Sequence, residues 1–157
     1  MQPLSFDWHF LFLCLGKICI AWILVLPTGW WSEKQGHSVG VRTFPLVAMA
    51  SCGFMMTLDN VNGDGSRLMQ GLITGIGFVG GGAIVRDGVT VRGTATAASI
   101  WAAGAIGASV ALGRIEIAVV LAVMDVFTMG ALVPVKRHLD NQREEVDGIS
   151  RRSGNTE

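Results

Sequence analysis

The sequence predicts an all-α protein: an integral membrane bundle of five transmembrane helices, N-terminus outside and C-terminus in the cytoplasm. Three observations predict it. Half of the 157 residues are apolar and only 15% are charged, against about 25% in an average soluble domain. The charge is also uneven, because residues 136–157 hold ten of the 24 charged residues and the other 135 hold fourteen. Finally, five apolar stretches follow one another at roughly the 17–25 residues that a helix needs to cross a bilayer.

The first span covers about residues 8–26, is interrupted only by Lys17, and is expected to stop at Pro27–Thr28–Gly29. No Lys or Arg precedes it and no A-x-A site follows, so it reads as a retained span rather than a cleaved signal. The second, about 40–58, carries Pro45 in its first turn, where proline costs a helix least. The third and fourth, about 68–85 and 95–112, have almost no polar stripe: Gln70 and Thr74 in one, Thr96, Ser99 and Ser109 in the other. A helix covering a soluble core would need such a stripe. The fifth runs over about 115–135. Residues 1–135 thus form the membrane domain, and 136–157 are a polar cytoplasmic tail, expected to be disordered and too short to bury a core.

Orientation follows from the basic residues. On alternate sides of the spans, Lys34, Arg42, Arg86, Arg92 and the five in the tail face Arg67 and Arg114 alone, and Lys17 lies inside a span. The positive-inside rule puts the richer side in the cytoplasm. Trp30 and Trp31 fall where an interfacial aromatic belt is expected. Zero net charge leaves no footprint for nucleic acid. Cys14, Cys19 and Cys52 form no CxxC and sit in apolar runs, so they read as small hydrophobes.

Two features could carry function. One is glycine: six of 21 fall between Gly71 and Gly82. Gly71–Gly75 and Gly77–Gly81 are GxxxG pairs, which let helices approach closely in lipid. With Gly80 and Gly82 they are expected to pack the third span against the small-residue fourth, around the RDGVTVRG loop. The overlapping G-x-G-x-x-G at Gly75–Gly80 lacks the strand and the distant acid of a dinucleotide site. The other feature is charge at depth. Lys17 and Asp125 sit midway along two spans that run in the same direction, where a charge costs about 2.5–3.5 kcal/mol. They are expected to pair or to line a polar site; otherwise Lys17 snorkels and Asp125 is protonated or capped by Thr128. Arg42, Arg86, Asp87 and Arg92 cluster at the inner face, and Asp64 and Arg67 lie at the outer one. No catalytic constellation or metal spacing is present, so neither an enzyme nor a cofactor is expected.

These residues resemble a family. GIGFVGGGAIVRDGVTVRGTATAASIWAAGAIG, residues 75–107, resembles the signature of the MgtC/SapB family of bacterial inner-membrane proteins, with its YhiD-like members. The family pattern is approximately GIGFLGAGVILR, a short RDG-type loop, then VRGLTTAASIWAAAAIG. Matching positions include Gly75, Gly77, Phe78, Gly80, Gly82, Arg86, Arg92, Gly93, Thr96, Ser99 and Trp101. GVRTFPLVA at 40–48 resembles the family's GLRT-x-x-LV through Arg42 and Thr43, and GDGSR resembles its DPSR turn through Asp64, Ser66 and Arg67. The family's GLERE is GWWSE here, keeping Gly29 and Glu33.

The resemblance implies a non-enzymatic membrane regulator linked to magnesium limitation, acid stress or intracellular survival. Its expected partners are membrane lipid, another integral membrane protein and a second copy of itself. The alternative is a small transporter or channel subunit for Mg²⁺ or another ion. A reporter fused after Glu157 is therefore expected to be active on the cytoplasmic side, and periplasmic activity would overturn the topology.

Overall fold

The computed structural model describes residues 7–35, 40–57, 65–88 and 90–131. The elements in order are α1 (Trp8–Lys34), α2 (Thr43–Met56), α3 (Gly65–Gly82), β1 (Val85–Asp87), β2 (Thr90–Arg92), α4 (Thr94–Ala111) and α5 (Ile115–Ala131). The predominantly helical reading holds. The polar tail and Asp64 lie outside the described residues.

The start of α1 is set by Asp7, whose carboxylate accepts from the His9 and Phe10 amides at 2.9 and 3.3 Å, a side-chain N-cap. Its end corrects the sequence reading: the helix passes through Pro27 and continues to Lys34. Proline removes one backbone bond, but the next turns are held from outside. Thr28, Gly29 and Ser32 are buried, and a Cβ at Gly29 would lie 3.1 Å from Val41 Cα. Packing on the α1–α2 corner therefore outweighs the missing amide. Trp30 and Trp31 belong to the last turns of α1, not to a loop, and Lys34 Nζ sits 5.5 Å over the Trp30 ring.

RDGVTVRG folds as more than a turn. Val85, Arg86 and Asp87 pair antiparallel with Arg92, Val91 and Thr90. Gly88, at φ +59°, supplies the left-handed backbone that a tight hairpin requires. Gly93 at φ +85° then turns the chain into α4, so close to the Ala83 carbonyl that a side chain has no room.

α4 is the central element and packs against α1, α2, α3 and α5. Its Ile100, Ala103, Ile106 and Val110 are buried with Ala21 and Val25 of α1, Phe44, Ala48 and Cys52 of α2, and Ala118 and Ala122 of α5. The neighbours alternate in direction. Gln35 Nε2 donates to the Met129 carbonyl at 3.1 Å, so α1 and α5 run parallel with their C-terminal ends level. Contacts of Gly80 with Ala97 and of Ile76 with Gly104 make α3 antiparallel to α4. One end of the bundle thus gathers Lys34, Arg42, Arg86 and Arg92, and the other Arg67 and Arg114.

The glycine expectation needs correcting. A Cβ at Gly71, Gly75, Gly77, Gly81 or Gly82 would meet nothing within 4 Å, so these glycines do not pack α3 on α4. The close approaches are elsewhere. Gly80 lies against the Ala97 carbonyl, with 3.1 Å left for a Cβ; Gly104 lies under the Ile76 side chain, and Gly107 against the Ala48 carbonyl. Glycines one turn apart on α3 cannot all face one partner unless the interface follows that same row, and only Gly80's row does.

The outer surface is apolar. Trp8, Phe12, Leu46, Phe54, Trp101, Val120 and Phe127 are all exposed, and Phe78 retains 83% of its accessible surface. α1 and α4 are long and apolar enough to cross a membrane, and α2 is a shorter apolar helix. Gly107→Leu is expected to lower the thermal stability of the detergent-solubilised protein by about 1–3 kcal/mol, the scale of overpacking. Gly77→Leu should leave stability near wild type, and equal losses would overturn this packing.

Candidate functional site

The two charged side chains inside the bundle sit at separate stations along α4. At its C-terminal end, Lys17 Nζ of α1 donates to the Ala111 carbonyl at 2.7 Å. Ala111 is one of the last four carbonyls of the helix, which lack partners within it. The ammonium thus sits at the negative end of the helix dipole.

The second station lies near the other end of α4. Asp125 of α5 accepts from the Ser99 hydroxyl at 2.7 Å. Thr28 of α1 stands beside the same carboxylate, its buried hydroxyl close enough to interact with it but short of well-formed hydrogen-bond geometry. Thr96, three residues before Ser99 and so on the same helical face, is also buried with an unpartnered hydroxyl. Ser32, one turn beyond Thr28, is fully buried. Three helices therefore bring one carboxylate and several hydroxyls to one level.

The expected pairing of Lys17 with Asp125 is corrected. Their partners on α4, Ala111 and Ser99, are twelve residues apart, or about 18 Å along a helix. The reading placed both residues at mid-span because it ended α1 at Leu26. With α1 reaching Lys34 and its end level with that of α5, the residue of α1 beside Asp125 is Thr28. Thr128 does not cap Asp125 either, since its hydroxyl donates to the Met124 carbonyl at 2.7 Å.

Among the described residues, those expected at the inner face form no compact site. Arg42 is exposed at the N-cap position of α2. Glu33 holds that corner instead, its Oε2 accepting from the Val41 amide at 3.0 Å. Arg86 Nε donates to the Gly88 carbonyl at 3.1 Å, bracing the hairpin. Asp87 ends β1, and Arg92 is exposed on β2. Arg67 is exposed in the first turn of α3, at the other end. No group of three or more His, Cys, Asp or Glu residues able to hold a metal occurs among the described residues.

A second feature is an apolar groove of about 640 Å³ between α2 and α3, lined by Val47, Ser51 and Phe54 on one side and Leu68, Gly71, Gly75 and Val79 on the other. Gly71 and Gly75 form its floor where α3 would otherwise present side chains. The sequence reading missed Thr28, Ser32 and this groove. A helix continuing past Pro27 would have shown Thr28 and Ser32 four apart on one face.

The MgtC family model matches residues 18–138, from the middle of α1 through α5. SrpB of Synechococcus elongatus is 33% identical over 78 residues, 45% of this chain and 43% of SrpB. YhiD of Escherichia coli K12, whose name suggests a magnesium transporter, is 32% identical over 79 residues, 44% of this chain and 37% of YhiD. The chain thus spans less than half the length of these curated relatives. No solved structure matches.

The two stations make the charge exchange Lys17→Asp with Asp125→Lys informative. The double variant is expected to fold no better than the worse single variant, measured as monodisperse yield in detergent. Rescue towards wild type would restore the ion pair.

Proposed function

Because this chain belongs to the MgtC family, we propose that it is a bacterial inner-membrane protein that crosses the bilayer five times and serves, without enzymatic activity, as a regulator linked to magnesium limitation. It acts by offering a helix surface to another membrane complex. The family match and the magnesium link in the name of YhiD support the setting.

The observation that carries the regulator reading is the placement of polar groups in the bundle. Lys17 and Asp125 are tied to opposite ends of α4. Between these levels lie Ala103, Ile106 and Val110 of α4, packed with Ala21 and Val25 of α1 and with Phe44 and Ala48 of α2, all buried. Mg²⁺ dehydrates reluctantly and wants near-octahedral oxygen, so such a seam offers it no path through one chain. The α2–α3 groove, by contrast, is open on the apolar surface and glycine-floored, the shape into which a foreign transmembrane helix packs closely. Gly71 and Gly75 are the proposed contact residues.

A transporter subunit is the second reading, favoured by the name of YhiD and by Asp125 at membrane depth. It would require several copies to assemble the oxygens that one lacks. Proteoliposomes containing this protein alone decide between the two. No Mg²⁺ flux above protein-free vesicles is expected, and flux that disappears in Asp125→Ala would overturn the regulator reading.

A further inference from the structure

The geometry points to Asp125 as a reversible proton-binding site built by α1, α4 and α5, with Ser99 and Thr28 as its positioning partners. This inference holds whether the protein regulates or transports, because it concerns the occupant of the site and not the partner of the groove.

Charge balance is the first argument. Asp125 lies in an apolar helix, and a carboxylate at such depth needs a cation or a proton. α5 packs against α4 and α1. α4 carries no charged residue. On α1, Lys34 is stacked over Trp30, Glu33 holds the Val41 amide, and Lys17 holds the Ala111 carbonyl. His9, Cys14 and Cys19 precede Thr28 by at least nine residues, or about 14 Å of helix. Glu116 of α5 is nine residues from Asp125. No cationic side chain therefore faces the carboxylate among the described residues.

The second argument is the unfilled hydrogen bonding. Ser99 donates to one carboxylate oxygen at 2.7 Å. Thr28, 1% exposed, stands beside the same group without a well-formed hydrogen bond. An ionised carboxylate only accepts, whereas a protonated one also donates. A proton taken from water onto the carboxylate gives it the donor that its ionised form lacks, and Thr28 Oγ1 is a neighbouring buried oxygen able to accept from it. That proton removes a half-buried charge from an apolar setting in the same step. A divalent ion would instead leave a net positive charge in an apolar setting. Mg²⁺ bound by a lone carboxylate keeps several waters, and buried Thr28 and Ser99 leave little room for them.

A hydrophobic carbodiimide tests this directly, because it adds to protonated carboxyl groups reached from an apolar phase. The full chain in proteoliposomes, treated with dicyclohexylcarbodiimide at a series of pH values and digested for mass spectrometry, is expected to carry the label on Asp125. The rate should fall about tenfold per pH unit above the midpoint, as for one proton. Na⁺ and Mg²⁺ should not slow it. Ser99→Ala should move the midpoint, and Ser109→Ala, whose hydroxyl bonds only its own helix at Ala105, should not. Absence of label, a rate indifferent to pH, protection by either cation, or an equal response to both serine variants would each overturn the site.

Discussion

How near α4 lets its neighbours come is the constraint on which the bundle depends. In an apolar solvent, helices gain nothing by hiding apolar side chains, and what holds them is contact between surfaces and bonds between polar groups. α4 meets that condition with small residues. Gly107 brings the Ala48 carbonyl of α2 almost onto its backbone, Gly104 takes the Ile76 side chain, and Ala97 receives Gly80. Dispersion attraction fades within an ångström of gap. A single methyl group at Gly107 therefore shifts the whole α2–α4 seam and loosens Phe44, Ala48 and Cys52 with it.

That closeness also decides where polar atoms can go. An interior of alanines and glycines has little space for solvent, so each buried polar group must find a protein partner or stay unpaired at a cost. Lys17 finds the free carbonyl of Ala111, and Asp125 finds Ser99. The hydroxyls of Thr28 and Thr96 find no well-formed bond. Buried hydroxyls without a well-formed bond, one of them next to a carboxylate, are where the packing is least consistent with itself, and natural sequences concentrate such inconsistencies at working sites.

Much of the fold was legible in the amino-acid order because the signals were long. Five apolar runs gave five helices, and Asp87–Gly88 turned the chain between α3 and α4. What stayed hidden was the outcome of competition. Pro27–Thr28–Gly29 reads locally as a helix end, since proline breaks the bonding ladder; only the contact of Gly29 with the α1–α2 corner reverses that. One misplaced end then shifted the register of α1 against α5 and set Lys17 level with Asp125. The glycines misled for a related reason. GxxxG states that a close approach is possible, not which surface takes it, and of the six glycines named on α3 only Gly80 meets a neighbour. The family resemblance was legible because it rests on identities along residues 75–107, and such matches survive errors in helix register.

The two unspent features of the molecule point in the same direction. The groove between α2 and α3 is a gap in side chains on an apolar surface, and the Asp125 station is a sparsely bonded carboxylate between α1, α4 and α5. One side chain reaches from the first towards the second: Ile76, which borders the groove, lies on Gly104 of α4, little more than one turn from Ser99. A helix bound in the groove would touch Ile76, which rests on the stretch of α4 that carries Ser99.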